Sequence, residues 1–150
     1  MSLSKRATGA LTSSAFAILA QRVVWAEDEG IYGCDPSNCD EGKNLIAIAG
    51  ITHMVADSDG VLIVSAGTLK HVPLPFTSGI RDLASVGSPS ALTVDATHAF
   101  VAVPGVGVRI IEKSSGNAVT KYASRSPTDI AESGSSLYWI EGDKLIRAAK

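Results

Sequence analysis

The chain has 150 residues, thirteen basic against fifteen acidic for a net charge of −2, with 45% hydrophobic and 19% charged residues. That composition suits one globular domain with one core and excludes a disordered chain. No stretch gathers Lys or Arg as a nucleic-acid footprint requires, and no run approaches the ~20 apolar residues of a membrane span. Gly, Ser, Thr, Val, Ala and Ile are plentiful while Glu and Lys are sparse, which favours strands and turns over helices.

At the N-terminus, Lys5 and Arg6 precede a mildly apolar stretch from Ala10 to Ala20, and Val24-Trp25-Ala26 offers a small-residue cleavage site. That is the outline of a signal peptide. Thr12, Ser13 and Ser14 dilute the apolar region, Gln21-Arg22 end it, and an internal repeat also claims these residues.

Four short apolar runs carry that repeat: Val23–Ala26, Val61–Val64, Ala99–Ala102 and Leu137–Ile140, each starting 38 residues after the last. Phe16, Met54, Leu92 and Ile130 form a second apolar column, preceded by a hydroxyl column of Ser14, Thr52, Ser90 and Thr128. A further strand starts at Ile31, Leu69, Gly107 and Leu145, and a weaker one runs through Leu45, Leu83 and Lys121. Turn residues fall between: Glu29-Gly30, Ala66-Gly67, Pro104-Gly105 and Gly142-Asp143.

Each unit therefore reads as four strands, a to d. In the second unit, strand a covers Ile51 to Ala56, b Val61 to Ser65, c Leu69 to Pro73 and d Ile80 to Val86. The Asp57-Ser58-Asp59-Gly60 turn and a longer Pro75 to Gly79 loop separate them. Strand b is a continuous apolar run, the pattern of a strand buried on both faces. A period near 40 with four strands per unit marks an all-β fold of antiparallel β-propeller blades. Sandwiches and barrels also have short strands and regular turns, but rarely hold an ungapped column through a whole domain.

The register divides the chain into units 13–50, 51–88 and 89–126, then a partial unit 127–150 that stops before strand d. This is one module of about four blades. Residues 1–12 fall in the register of the missing strand, so the two ends are expected to share a blade, with Lys5–Thr12 beside Leu145–Ala148.

Pro89, Val94, Asp95 and Ala96 in "SALTVDATHAFVAV" and its approach, and Tyr138, Trp139 and Arg147 in "SSLYWIEGDKLIRAAK", carry a resemblance, to which Trp25 adds. These segments resemble the propeller repeats of secreted proteins from myxobacteria and related bacteria, over roughly residues 13 to 150. The resemblance implies a larger parent ring with a signal peptide, so this chain reads as a fragment, a four-bladed ring or half of a dimeric ring. The family often carries two cysteines four residues apart after strand c, matched by Cys34 and Cys39 in "CDPSNC". A local disulfide bracing the loop is the expected role, with free thiols as the alternative.

Candidate chemistry is thin. The oxygen-rich residues Asp35, Ser37, Asn38, Asp40 and Glu41 raise calcium, but the spacing lacks a calcium loop's alternation and closing Glu, which favours a solvated turn. His53 sits in the strand a column with Ala15, Ala91 and Asp129; strand a lines a propeller's channel, so His53 and Asp129 are the best polar pair for a ligand, with Glu132 near the same columns. His71, on strand c, and His98, on a turn, are expected at the surface. "PGVGV" at 104–108 reads as a b–c turn rather than a phosphate loop, and Trp25 and Trp139 as core rather than carbohydrate platforms.

The functional expectation is a non-enzymatic interaction or ligand-binding module of an extracytoplasmic bacterial protein, without cofactor, metal or catalytic residues. Its partner is a protein or small molecule rather than nucleic acid, and a homodimer is one of the ways in which a ring is completed. The alternatives are a lectin-like binder of small ligands and a fragment of a lactonase- or lyase-type propeller enzyme.

Overall fold

A computed structural model describes residues 16–19, 22–27, 29–76 and 79–150, with backbone alone for 38–43. Among these residues the regular structure is fifteen strands in four sheets. The first sheet holds β1 (Phe16–Leu19), β2 (Arg22–Glu27), β3 (Gly30–Asp35) and β4 (Asn38–Ala47). The second holds β5 (Ile51–Asp57), β6 (Gly60–Ser65), β7 (Thr68–Pro73) and β8 (Arg81–Ser85). The third holds β9 (Ala91–Val94), β10 (His98–Val103), β11 (Gly107–Glu112) and β12 (Ala118–Ala123), and the fourth β13 (Pro127–Ser133), β14 (Ser136–Glu141) and β15 (Lys144–Ala149).

Each sheet is an antiparallel meander in chain order. The strands of the 38-residue unit thus fall where the columns place them, and all six residues of β6 are buried, as a strand covered on both faces must be. Val24, Trp25 and Ala26, the residues of the leader outline, are strand β2, paired with β1 on one side and β3 on the other. His98 departs from expectation: it opens β10 instead of lying in a turn, because its amide donates to Asp95 Oδ1 (2.8 Å) and closes the preceding bend. The expected pairing of Lys5–Thr12 with Leu145–Ala148 lies outside the described residues.

The hydroxyl column has a structural reason. Thr52, Ser90 and Thr128 each direct Oγ at a carbonyl of the neighbouring strand, of Val64, Ala102 and Ile140 respectively, at 3.3–3.4 Å. In β5 and β13 the residue sits at a bulge, where one inner-strand residue has no partner and a ladder bond is lost. The side chain adds a donor at that carbonyl, and at Ala102 it joins the Ser90 amide on the same oxygen.

Sheets stack through three apolar clusters. Val24, Ala26 and Ile31 of the first sheet meet Met54, Val61 and Ile63 of the second. Leu62, Val64 and Leu69 of the second meet Ala99, Val101 and Ile111 of the third. Phe100, Ala102 and Val108 of the third meet Ile130, Leu137 and Trp139 of the fourth. Even-numbered residues of β6 thus face one neighbour and odd-numbered ones the other, following the period of two. Each fully buried Val, Leu, Ile or Phe contributes roughly 1.5–3 kcal/mol. The inner strands also touch in succession, β1 to β5, β5 to β9 and β9 to β13.

A polar clasp repeats across two of the junctions. Lys113, just past β11, reaches back to Asp57 at the end of β5 (2.6 Å), and Lys150, just past β15, reaches back to Asp95 beyond β9 (2.9 Å) and to Glu132. Burial works to raise the Asp95 carboxyl, but the Lys150 ammonium and the amides of Thr97 and His98 together hold it well below the usual carboxylate range. On the other side of the clasp, the hydrogen bond to Glu132, opposed by partial desolvation and reinforced by Asp95, raises Lys150.

Gly107 begins β11 with φ +127°, and a Cβ there would stand 2.0 Å from the Tyr122 carbonyl oxygen. Gly105, φ +78°, has nothing within 4 Å of the same position. Gly107→Ala is therefore expected to cost roughly 2–4 kcal/mol, and Gly105→Ala only about 1–2 kcal/mol, the left-handed backbone term alone. Urea unfolding of the two variants checks the difference; equal losses would remove the steric reading of Gly107.

A depressed Asp95 stabilises the fold at any pH above its unfolded-state value of about 3.9, and that contribution is lost as pH falls through the folded-state value. Asp95→Asn is expected to melt below the parent at pH 7, with the gap narrowing progressively below about pH 4. Melting curves from pH 2 to 7 test this, and a gap independent of pH would show that the clasp is not electrostatic.

Candidate functional site

The inner edge of the sheets is where the sequence places its ligand candidates. His53 and Asp129 occupy the same position of their units, on β5 and β13, each next to the bulge that opens its strand. A bulge leaves a residue unpaired and turns its side chain away from the ladder, one way a fold frees a polar group for use. His53 is half-buried and its Nδ1 lies 3.1 Å from Thr52 Oγ1. Asp129 is exposed, and its Oδ1 accepts from the Ile130 amide (2.8 Å). The intervening strand β9 has Ala91 at this position, and among the described residues no hydrogen bond or ion pair joins His53 to Asp129. Glu132 does not join them either: its carboxylate is taken by Lys150 in the clasp between the third and fourth sheets.

The loop after β3 is locally braced. Cys34 is buried and is not a free thiol, while the side chain of Cys39 lies outside the described residues. Asp35 Oδ1 accepts from both the Ser37 hydroxyl and the Ser37 amide (2.8 Å), and these bonds lower its pKa below the ordinary carboxylate value. The remaining members of the oxygen-rich set, Asn38, Asp40 and Glu41, have side chains outside the described residues.

One cluster is absent from the sequence reading. Ligand atoms of Asp57, Asp59 and His71 lie within 4.8 Å of one another. The β6–β7 hairpin brings them together, since Leu62 pairs with His71 and Gly60 with Pro73, and that swings the Asp57-Ser58-Asp59 turn over the imidazole. His71 Nε2 sits 3.1 Å from Asp59 Oδ1. Asp57 is already paired with Lys113, so a cation entering here competes with an ammonium in place. The hairpin register was the signal that could have found this cluster.

The two tryptophans have separated roles. Trp139 is buried between the third and fourth sheets, stacked on Tyr122 with ring centroids 5.3 Å apart, as a core residue should be. Trp25, in the same column, is half-buried, stacks on Tyr32 at 6.4 Å and donates Nε1–H to Glu27 Oε1 (2.8 Å).

No family model matches the chain, and no curated protein matches it. Solved structures do. The computationally designed Ika4 protein aligns with 99% of this chain and 95% of its own at 16% identity and a TM-score of 0.74. A chain of a nidogen/laminin complex aligns with 89% of this chain at 14% identity and a TM-score of 0.70, and this chain spans 58% of its length. BamB from Moraxella catarrhalis aligns with 91% of this chain and 42% of its own, at 12% identity and a TM-score of 0.67. At such identities the likeness speaks for the fold, and the fold is that of β-propeller blades, four of them in this chain.

Proposed function

We propose that residues 1–150 form one non-enzymatic β-propeller interaction module of an extracytoplasmic bacterial protein, taking a protein or small-molecule ligand at the inner edge marked by His53 and Asp129. The observation that carries this reading is the contrast along the inner strands. Asp129 is exposed and His53 half-exposed at one edge, and neither takes part in the ion pairs between sheets. Other charged groups, Asp57, Asp95, Glu132, Lys113 and Lys150, are engaged in holding sheets together. A few convergent polar groups on a rigid scaffold are what a binding site needs. In the same reading Cys39 is the partner of Cys34, which supports an oxidising compartment, and a second copy of the chain completes the ring. One of the structural neighbours is itself a complex, of nidogen with laminin.

A thermal-shift panel of sugars, amino acids, short peptides and divalent cations tests the edge. A ligand that raises the melting temperature is expected to lose at least half of its effect in His53→Ala and in Asp129→Ala. A ligand whose effect survives both changes binds elsewhere and removes these residues from the reading.

For the cysteines, the intact protein purified without reductant is expected to gain about 2 Da on reduction and to resist thiol labelling when unfolded beforehand. Two labelled thiols in oxidised material would overturn the pairing.

A further inference from the structure

The repeat gives every blade two apolar faces, and the column positions tell which face meets which neighbour. Val24, Leu62 and Phe100, 38 residues apart, each point at the following sheet and are fully buried. Tyr138 is the next member, yet among the described residues no sheet packs on it, and on the same face Ile140 is 39% and Leu145 72% exposed. The opposite face shows the mirror of this. Met54, Leu92 and Ile130 point at the preceding sheet and pack in the three clusters. Phe16, the first member of that column, is 55% exposed, and Ile18 beside it 65%.

Among the described residues, the first and fourth sheets therefore each carry the residues of a blade–blade junction with no sheet packed on them. We propose that the outer face of the first sheet (Phe16, Ile18, Val23, Trp25) docks on the outer face of the fourth sheet (Tyr138, Ile140, Leu145) of a second copy of this chain. This rests on the ring-completing dimer of the reading above and names the surfaces that make it. The junction between the third and fourth sheets is its template. There Phe100, Ala102 and Val108 receive Ile130, Leu137 and Trp139. At the new junction Tyr138, Ile140 and Leu145 stand in the first three positions, and Phe16, Val23 and Trp25 in the second three. Trp25, half-buried now, takes the place that Trp139 fills against its neighbour.

The occupant is a second copy because the two faces are complementary members of one repeat. A head-to-tail contact of this kind closes into a ring or runs on as a filament. Propellers usually hold about 4–8 blades, so two four-bladed chains close at the upper end of that range. Phe16, Ile18 and Leu145 are exposed, so among the described residues the two faces are not in contact with each other.

Sedimentation equilibrium of the 150-residue chain is expected to give about twice the 15.5 kDa of one copy. A monomeric parent chain overturns both the dimer and the docking, whereas the variants separate the two. Ile18→Arg on the first face and Leu145→Arg on the other replace exposed side chains, so both should keep the parent's circular dichroism. Each alone is expected to dissociate, with the dimer constant weakened about tenfold or more, since each spoils both junctions. Mixed in equal amounts they are expected to form a heterodimer, because one junction between them keeps two intact faces. If Leu145→Arg stays dimeric while Ile18→Arg does not, the first face pairs with itself; if both stay dimeric, other surfaces join the copies. Either result overturns the docking and leaves the dimer standing.

Discussion

The stacking of one sheet's apolar face on the next is the interaction on which the rest of the chain depends. A four-stranded meander has too little core of its own; burying β6 or β10 takes a sheet on each side. Leu62 and Ile63 are neighbours in sequence and both fully buried, yet they belong to different clusters. The period of two along a strand, applied to a strand covered twice, produces an unbroken apolar run. This is why the strongest sequence signal lies in strand b, and why it recurs at the spacing of whole blades.

Polar groups are arranged around that stacking. The hydroxyls of Thr52, Ser90 and Thr128 donate to carbonyls at the inner edge, and the Lys113–Asp57 and Lys150–Asp95 pairs tie consecutive sheets at the opposite end of the inner strands. Asp95 serves twice, since it also organises the bend before β10 through the amides of Thr97 and His98. Among the described residues the junction between the first and second sheets shows no such clasp. The position equivalent to Asp57 and Asp95 is Leu19 there, buried in the apolar cluster. Among the described residues, that junction is held by packing where two others add charge.

Strand order and the double burial of strand b were legible because they repeat at fixed intervals of 38 residues. The clasp was not. Lys113 and Lys150 are 37 apart, because the turn before β11 has one residue more than the turn before β15 (Val103 pairs with Gly107, Glu141 with Lys144), and the offset hides them from an ungapped column. Glu132 looked like a channel group by column alone, yet its partner is the last residue of the chain, a contact that no local pattern announces. The Asp57, Asp59 and His71 cluster depends on hairpin register, which composition does not carry. His53 and Asp129 were legible as departures from an otherwise apolar or small position, since a repeat makes the exception visible.

The lengthened turn at Pro104–Val106 shows how such a molecule can change over generations. The additional residue is absorbed within the hairpin, where Gly107 takes up a backbone conformation closed to other residues, and Val108 still reaches the fourth sheet. A blade can thus acquire new length and new chemistry at its rim while its neighbours meet the same flanks as before. Copies of one ancestral unit are then free to diverge at their turns, each inventing separately, while the shared architecture passes down unaltered.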